Sequence, residues 1–194
     1  MTVASKPDGR VARREGNREL IMAAATDLFA ARGVTSTSID DIAEAAGIAK
    51  GSIYYNFESK AGLVEAILAR SSELLTEALA KAGDGRQGRE LRAAVVTELL
   101  ELLRAHPGGA RVLVTELFRT ERSWREAIAN WRGLALAPLI ADLRASGVPA
   151  DRAQLRAAAI VGATLTAGLE WLVFDPELEL ATVRQSVLES LGLA

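Results

Sequence analysis

TSIDDIAEAAGIAKGSIYYNFESKAGLVEAI, residues 37–67, is the stretch whose reading decides the fold. Thr37 or Ser38 offers a hydroxyl N-cap, and Asp41, three residues after Ser38, completes a short-armed capping box. Ile39, Ile42, Ala43 and Ala46 fall on one helical face, and Gly47 closes that helix after little more than two turns. A second short helix follows over about 49–57. Ile48, Ile53 and Phe57 point inward, while Lys50, Gly51, Ser52, Tyr54, Tyr55 and Asn56 form its outward set. Ser59 then caps a long helix over about 60–81.

Upstream, Ile21, Ala24, Ala25, Leu28 and Phe29 recur at helical spacing, which predicts a helix from near Asn17 to the C′ residue Gly33. A first helix bracing two short helices joined by a turn is the helix-turn-helix plan. Ahead of it Lys6, Arg10, Arg13, Arg14 and Arg18 face only Asp8, Glu15 and Glu19, so residues 1–15 read as a flexible basic arm. Through Lys60 the basic and acidic residues cancel at eight each. A DNA-binding reading must therefore rest on motif and placement.

The outward set has a mechanical logic. A recognition helix lies in the major groove and makes its base contacts near its N-terminus, where Lys50 and Ser52 stand. Gly51 lets the backbone approach the duplex. Tyr54 and Tyr55 carry hydroxyls that reach phosphates, and Lys60 stands at a helix N-terminus suited to the same task. Against this stands the plainer reading, in which the tyrosines pack on the bundle and Lys50 is a solvated charge.

The combination closely resembles the DNA-binding signature of the tetracycline-repressor (TetR) family, from near Arg14 through Ile67. The most specific parts are Ile42-Ala43, Ala46-Gly47-Ile48, Gly51, Tyr54, Phe57, Ser59-Lys60 and Leu63. The resemblance implies a double-stranded operator as partner. It places Arg14, Lys50, Gly51, Ser52, Tyr54, Tyr55 and Asn56 at the DNA, with Thr37 or Ser38 and Lys60 on phosphate-clamping positions. Two positions depart from the family pattern: Ala49 stands where a Ser or Thr cap is common, and Asn56 where His is common. The resemblance also implies a helix-turn-helix domain over 16–61 and a ligand-binding and dimerisation domain over 62–194.

Beyond Ala82 the joints at 82–88, Pro107, Gly147 to Pro149 and Asp175-Pro176 divide the chain into helices over about 87–105, 107–120, 121–146, 149–174 and 176–192. The chain reads as all-α with about nine helices. For a homodimer interface, the penultimate helix offers Leu155, Ala158, Ala159, Gly162, Leu165, Leu169 and Leu172. The last offers Leu180, Val183, Val187, Leu188 and Leu191. Candidates for binding a small, largely apolar effector are Phe118, Trp124 and Trp131 as walls, with His106, Glu116 or Arg119 as polar anchor.

Composition narrows the alternatives. Apolar residues make up 49% of 194 and aromatics 5%, so the core is mostly Ala and Leu, which favours helices. No window reaches about 18 uninterrupted apolar residues, and the N-terminus lacks the apolar core of a signal peptide, so no membrane partner and a cytoplasmic location are expected. One histidine and no cysteine leave no thiolate metal site, and no metal or other cofactor is expected. Gly83-Asp-Gly85-Arg-Gln-Gly88 spells G-x-G-x-x-G, but a long helix precedes it where a dinucleotide site needs a strand. The rival classes are an enzyme, for which Glu98 and Glu101 supply a carboxylate pair on a Glu- and Arg-rich helix, and an all-α adaptor for other proteins. Neither gives a reason for the Lys50–Lys60 cluster.

Overall fold

The computed structural model describes residues 9–117 and 124–194, with the side chains of 9–13 outside that description. These residues form nine helices: α1 (Gly9–Arg32), α2 (Ile39–Ala46), α3 (Lys50–Phe57), α4 (Lys60–Gly83), α5 (Gly88–Ala105), α6 (Pro107–Leu117), α7 (Arg125–Ala145), α8 (Ala150–Phe174) and α9 (Leu180–Ser190). The chain divides into two compact units, one ending at Ile67 and the other beginning at Leu68, so that the boundary falls inside α4.

In the first unit the predicted stripes meet as drawn. Ile21, Ala25 and Phe29 of α1, Ile42 and Ala43 of α2, Ile53 and Phe57 of α3, and Leu63, Val64 and Ile67 of α4 are all buried. Burying one such aliphatic side chain stabilises the fold by about 1.5–3 kcal/mol. The helix α1 begins at Gly9 rather than near Asn17, so residues 9–15 are its opening turns and not an arm. Val11 and Ala12 are the only apolar side chains in that stretch of the sequence, too few for an apolar period to announce it. The rest of the expected arm, residues 1–8, lies outside the described residues.

In the second unit α8 is the central helix, packed against α5, α6, α7 and α9. Its length and a mean hydropathy of 1.6 over an 18-residue window would suit a membrane crossing, but here one side is spent on these neighbours. Gly168 lets it close on α5, where a Cβ would overlap Leu103 Cδ1 and stand 3.3 Å from Leu100 Cδ2. The G-x-G-x-x-G stretch is an interhelix joint. Gly85 and Gly88 adopt φ of +67° and +57°, and the Gly88 N–H donates to Asp142 Oδ1 of α7 at 2.5 Å. Arg92 Nε donates to Asp142 Oδ2 at 2.7 Å, so one buried carboxylate holds both the start of α5 and its second turn.

One other end differs from expectation. The helix α9 starts at Leu180, not 176, because the chain after Asp175 turns back: the Leu178 N–H donates to the Asp175 carbonyl and Trp171 Nε1 donates to the Leu178 carbonyl at 3.0 Å. The expected junction at 120 and 121 lies outside the described residues.

Candidate nucleic-acid interface and effector cavity

Local chemistry sets the two short helices at their angle. The Ser38 hydroxyl accepts from the Asp41 N–H at 3.1 Å, and Asp41 Oδ2 accepts from the Ser38 N–H at 2.8 Å, a complete capping box. Hydrogen bonds from the Ser38 backbone and then its hydroxyl hold the Asp41 carboxyl below its ordinary range. Gly47 ends α2 in the left-handed region (φ 66°, ψ 32°), with its N–H returned to the carbonyls of Ala43 and Glu44. Ala49 opens α3 with no side-chain cap, as the loss of the usual hydroxyl implies.

With Ile53 and Phe57 inward, α3 turns Lys50, Gly51, Tyr54 and Tyr55 to solvent. Tyr55 is 72% exposed and Tyr54 47%, a large aromatic surface turned to solvent. The Arg14 guanidinium lies over the Tyr55 ring, 5.3 Å from its centroid, and Arg18 lies 4.5 Å over Phe57 while donating to the Asn56 carbonyl. The first turns of α1 therefore add two guanidinium groups beside α3. Arg18 is absent from the expected site. With the helix extended to Gly9, Arg14 and Arg18 stand at i and i+4 on one face, the signal that would have found it.

Three of the expected residues have partners within their own unit. Thr37 is 1% exposed, and its hydroxyl donates to the carbonyls of Gly33 (2.9 Å) and Leu28 (3.4 Å), so it ties the α1–α2 loop from inside. Lys60 Nζ donates to the carbonyls of Val34 (3.0 Å) and Thr37 (2.9 Å), which ties the ammonium to the same loop. Asn56 Nδ2 donates back to the Ser52 carbonyl at 2.8 Å, and its Oδ1 is buried without a partner, so its amide points inward. Ser38 stays exposed, at the N-terminus of α2, and Ser52 is half-buried.

Among the described residues of the second unit, two cavities share lining residues. The first, about 40 Å³, is lined by Leu74, Leu99, Leu103, His106 and Leu113 together with Trp131 and Leu165. The second, about 210 Å³, shares Trp131 and Leu165 and adds Leu117, Arg132, Ala135 and Ala158. Of the residues expected at an effector, His106 and Trp131 reach a cavity wall. Glu116 and Trp124 line neither of these two: Trp124 Nε1 donates to the buried Glu116 carboxylate at 3.2 Å, joining α6 to the start of α7. Phe118 and Arg119 lie outside the described residues. Arg132, missed by the sequence reading, had no aromatic or positional signal to recommend it.

The expected interface residues divide. Leu165, Val183, Val187 and Leu188 are buried within the single chain. Ala158, Leu169, Leu172, Leu180 and Leu191 are half-buried, and Leu155, Ala159 and Gly162 are exposed. A groove of about 490 Å³ runs between α8 and α9, with Val183 and Val187 in its floor and Thr166, Glu170 and Ser186 on its rims.

A helix-turn-helix with a polar, aromatic recognition face, followed by a helical unit with internal cavities, defines a class of two-part DNA-binding regulators. Residues 21–67 match the profile described as "Bacterial regulatory proteins, tetR family". The chain is 30% identical over 168 residues to the transcriptional activator FasR of Mycolicibacterium smegmatis, covering 84% of this chain and 75% of that one. It is also 30% identical over 132 residues to the transcriptional repressor KstR2 of Rhodococcus jostii, there spanning 68% of this chain but only 61% of the relative. A TetR-like transcriptional regulator from Rhodococcus sp. RHA1 superposes with a TM-score of 0.76 at 28% identity, over 96% of both chains. This chain belongs to the tetR family of helix-turn-helix bacterial transcriptional regulators.

Proposed function

We propose that this protein is a homodimeric, cytoplasmic repressor that holds a palindromic operator through two copies of α3 and is released by a small, largely apolar effector. The observation that carries the DNA side is the solvent face of α3. Lys50, Gly51, Tyr54 and Tyr55 stand there with Arg14 alongside, and nothing in their own unit requires two exposed tyrosines.

The apolar walls of the two cavities support the effector. A cavity of about 40 Å³ has room for little more than water, so an effector bound there favours a conformation with the helices further apart. Ser71 and Leu74 of α4 line that cavity, and the first turns of α4 belong to the DNA-binding unit, which makes α4 the element that transmits the change. Two recognition helices must reach major grooves about 34 Å apart, so a shift of a few ångströms spoils simultaneous docking. The exposed Leu155, Val173, Phe174 and Leu178, with the groove between α8 and α9, support a second copy as the occupant of that face. The repressor KstR2 and the activator FasR are both relatives, so repression is the part of the proposal that a promoter assay must decide.

The test is DNA binding by the purified protein to a pool of random duplexes, with Tyr54→Ala in parallel and the oligomeric state measured by sedimentation. A dimer that enriches a two-fold symmetric sequence, with at least tenfold weaker binding by the variant, is the expected result. A well-folded protein that enriches no sequence would end the regulator reading.

A further inference from the structure

Lys50 is the first residue of α3 and the obvious base reader, yet its charge is not free. Its Nζ stands 2.8 Å from Oδ1 and 2.9 Å from Oδ2 of Asp40, which lies in the first turn of α2. The two residues are ten apart in sequence, on helices whose angle the Gly47 turn sets. Their side chains are 50% and 68% exposed, and an ion pair that open adds little to the stability of a fold. Asp40 is not part of the cap of α2 either, which Ser38 and Asp41 form between themselves. The pair is best explained by what its position does at the duplex.

An ammonium has three donors. With Asp40 chelating Nζ through both oxygens, one face of the ammonium is committed and the remaining donor capacity has a fixed direction. We propose that Asp40 is a specificity-determining residue of the DNA-binding surface: it holds Lys50 as an oriented base reader and withholds its charge from the phosphate backbone. This rests on the reading of α3 as the helix that meets DNA. On arbitrary sequence Lys50 adds to phosphate neutralisation only by leaving Asp40, whose carboxylate then faces the phosphates unpaired. At a base acceptor in the right place, such as guanine O6 or N7, the pair stays intact and the oriented N–H is used. Asp40 thus lowers affinity for random duplex more than affinity for the cognate one.

Asp40→Asn keeps the shape and removes the charge. Binding is measured to a duplex selected by the wild type from a random pool and to poly(dI-dC), each across a salt series, with Lys50→Met alone and combined with Asp40→Asn. Asp40→Asn is expected to tighten binding to poly(dI-dC) about fivefold at low salt and to steepen its salt slope by about 0.9, one phosphate's worth of released counterion. The ratio of selected to random affinity falls by a similar factor, and all three effects vanish in the Lys50→Met background. An unchanged slope and ratio, or the same gain in the Lys50→Met background, overturns the proposal while leaving α3 as the DNA-binding helix. Failure of the folded wild type to bind either duplex overturns that reading, and this proposal with it.

Discussion

Gly62, in the first turn of α4, stands against the carbonyl oxygen of Phe57, the last residue of α3, and leaves no room there for a Cβ. The obstacle is backbone and cannot swing aside as a side chain would. Gly62→Ala should therefore destabilise the first unit by about 1–3 kcal/mol, the usual range for overpacking. Gly51 is the opposite case, since a Cβ there meets nothing within 4 Å. Gly51→Ala should stabilise the helix by up to about 1 kcal/mol and still weaken DNA binding. Denaturant unfolding together with DNA titration separates the two. Unimpaired DNA binding by Gly51→Ala would show that the backbone does not approach the duplex at that point.

Lys60 sits at a position that family resemblance assigns to phosphate clamping, and its ammonium is instead bonded to the carbonyls of Val34 and Thr37. Charged hydrogen bonds of this kind contribute about 1.5–3 kcal/mol each at most, so Lys60→Ala should lower stability by an amount in that range. The salt slope of DNA binding should stay as it is where both carbonyl bonds are kept on the duplex, since the charge removed then neutralises no phosphate. A slope shallower by about one ion, with stability intact, would return Lys60 to the DNA.

The contrast between Lys60 and Ile42 shows how much was legible in advance. Ile42, Ala43, Ile53 and Phe57 could be placed because a short amphipathic helix has only one side to bury, and caps such as Ser38 and Gly47 announce its ends. Lys60 could be placed on the right turn of the right helix, but a long side chain reaches either a phosphate or a nearby carbonyl, and only coordinates decide between them. Leu165 and Val187, buried within the single chain, show a related limit. A helix apolar on most of its circumference, as α8 is, does not say which stripe meets its own chain and which is left for a second copy. Arg14 was placed at the DNA by resemblance alone and Arg18 was seen only as charge, because the turns of α1 that align them have no apolar period.

Asp41 gives the first unit a pH dependence of definite sign. Its folded-state pKa lies below the ordinary 3.8, chiefly through the Ser38 backbone hydrogen bond, so its ionised form is favoured by folding. That contribution is fully present above pH 3.8 and is lost as the pH falls through the lowered value. Melting temperatures of wild type and Asp41→Asn should differ by a constant amount from pH 7 down to about 4 and converge below it. A gap that stays constant below pH 3.8 would mean the capping box does not distinguish the carboxylate from the amide.

Trp131 and Leu165 line both of two cavities, one of about 40 Å³ and one of about 210 Å³. Removing the indole should join them, at a stability loss of about 3–5 kcal/mol for a buried Trp. In a series of n-alkanols, the rise in melting temperature at saturating ligand should grow with chain length for the wild type and stop where Trp131 closes the space. Trp131→Ala should carry the series several carbons further, and Leu134→Ala, on the same helix but in neither wall, should not. The expectation follows from area alone, since each further buried methylene is worth about 0.8 kcal/mol only while there is a cavity to receive it. An identical length limit in all three proteins would place the apolar ligand outside these two cavities.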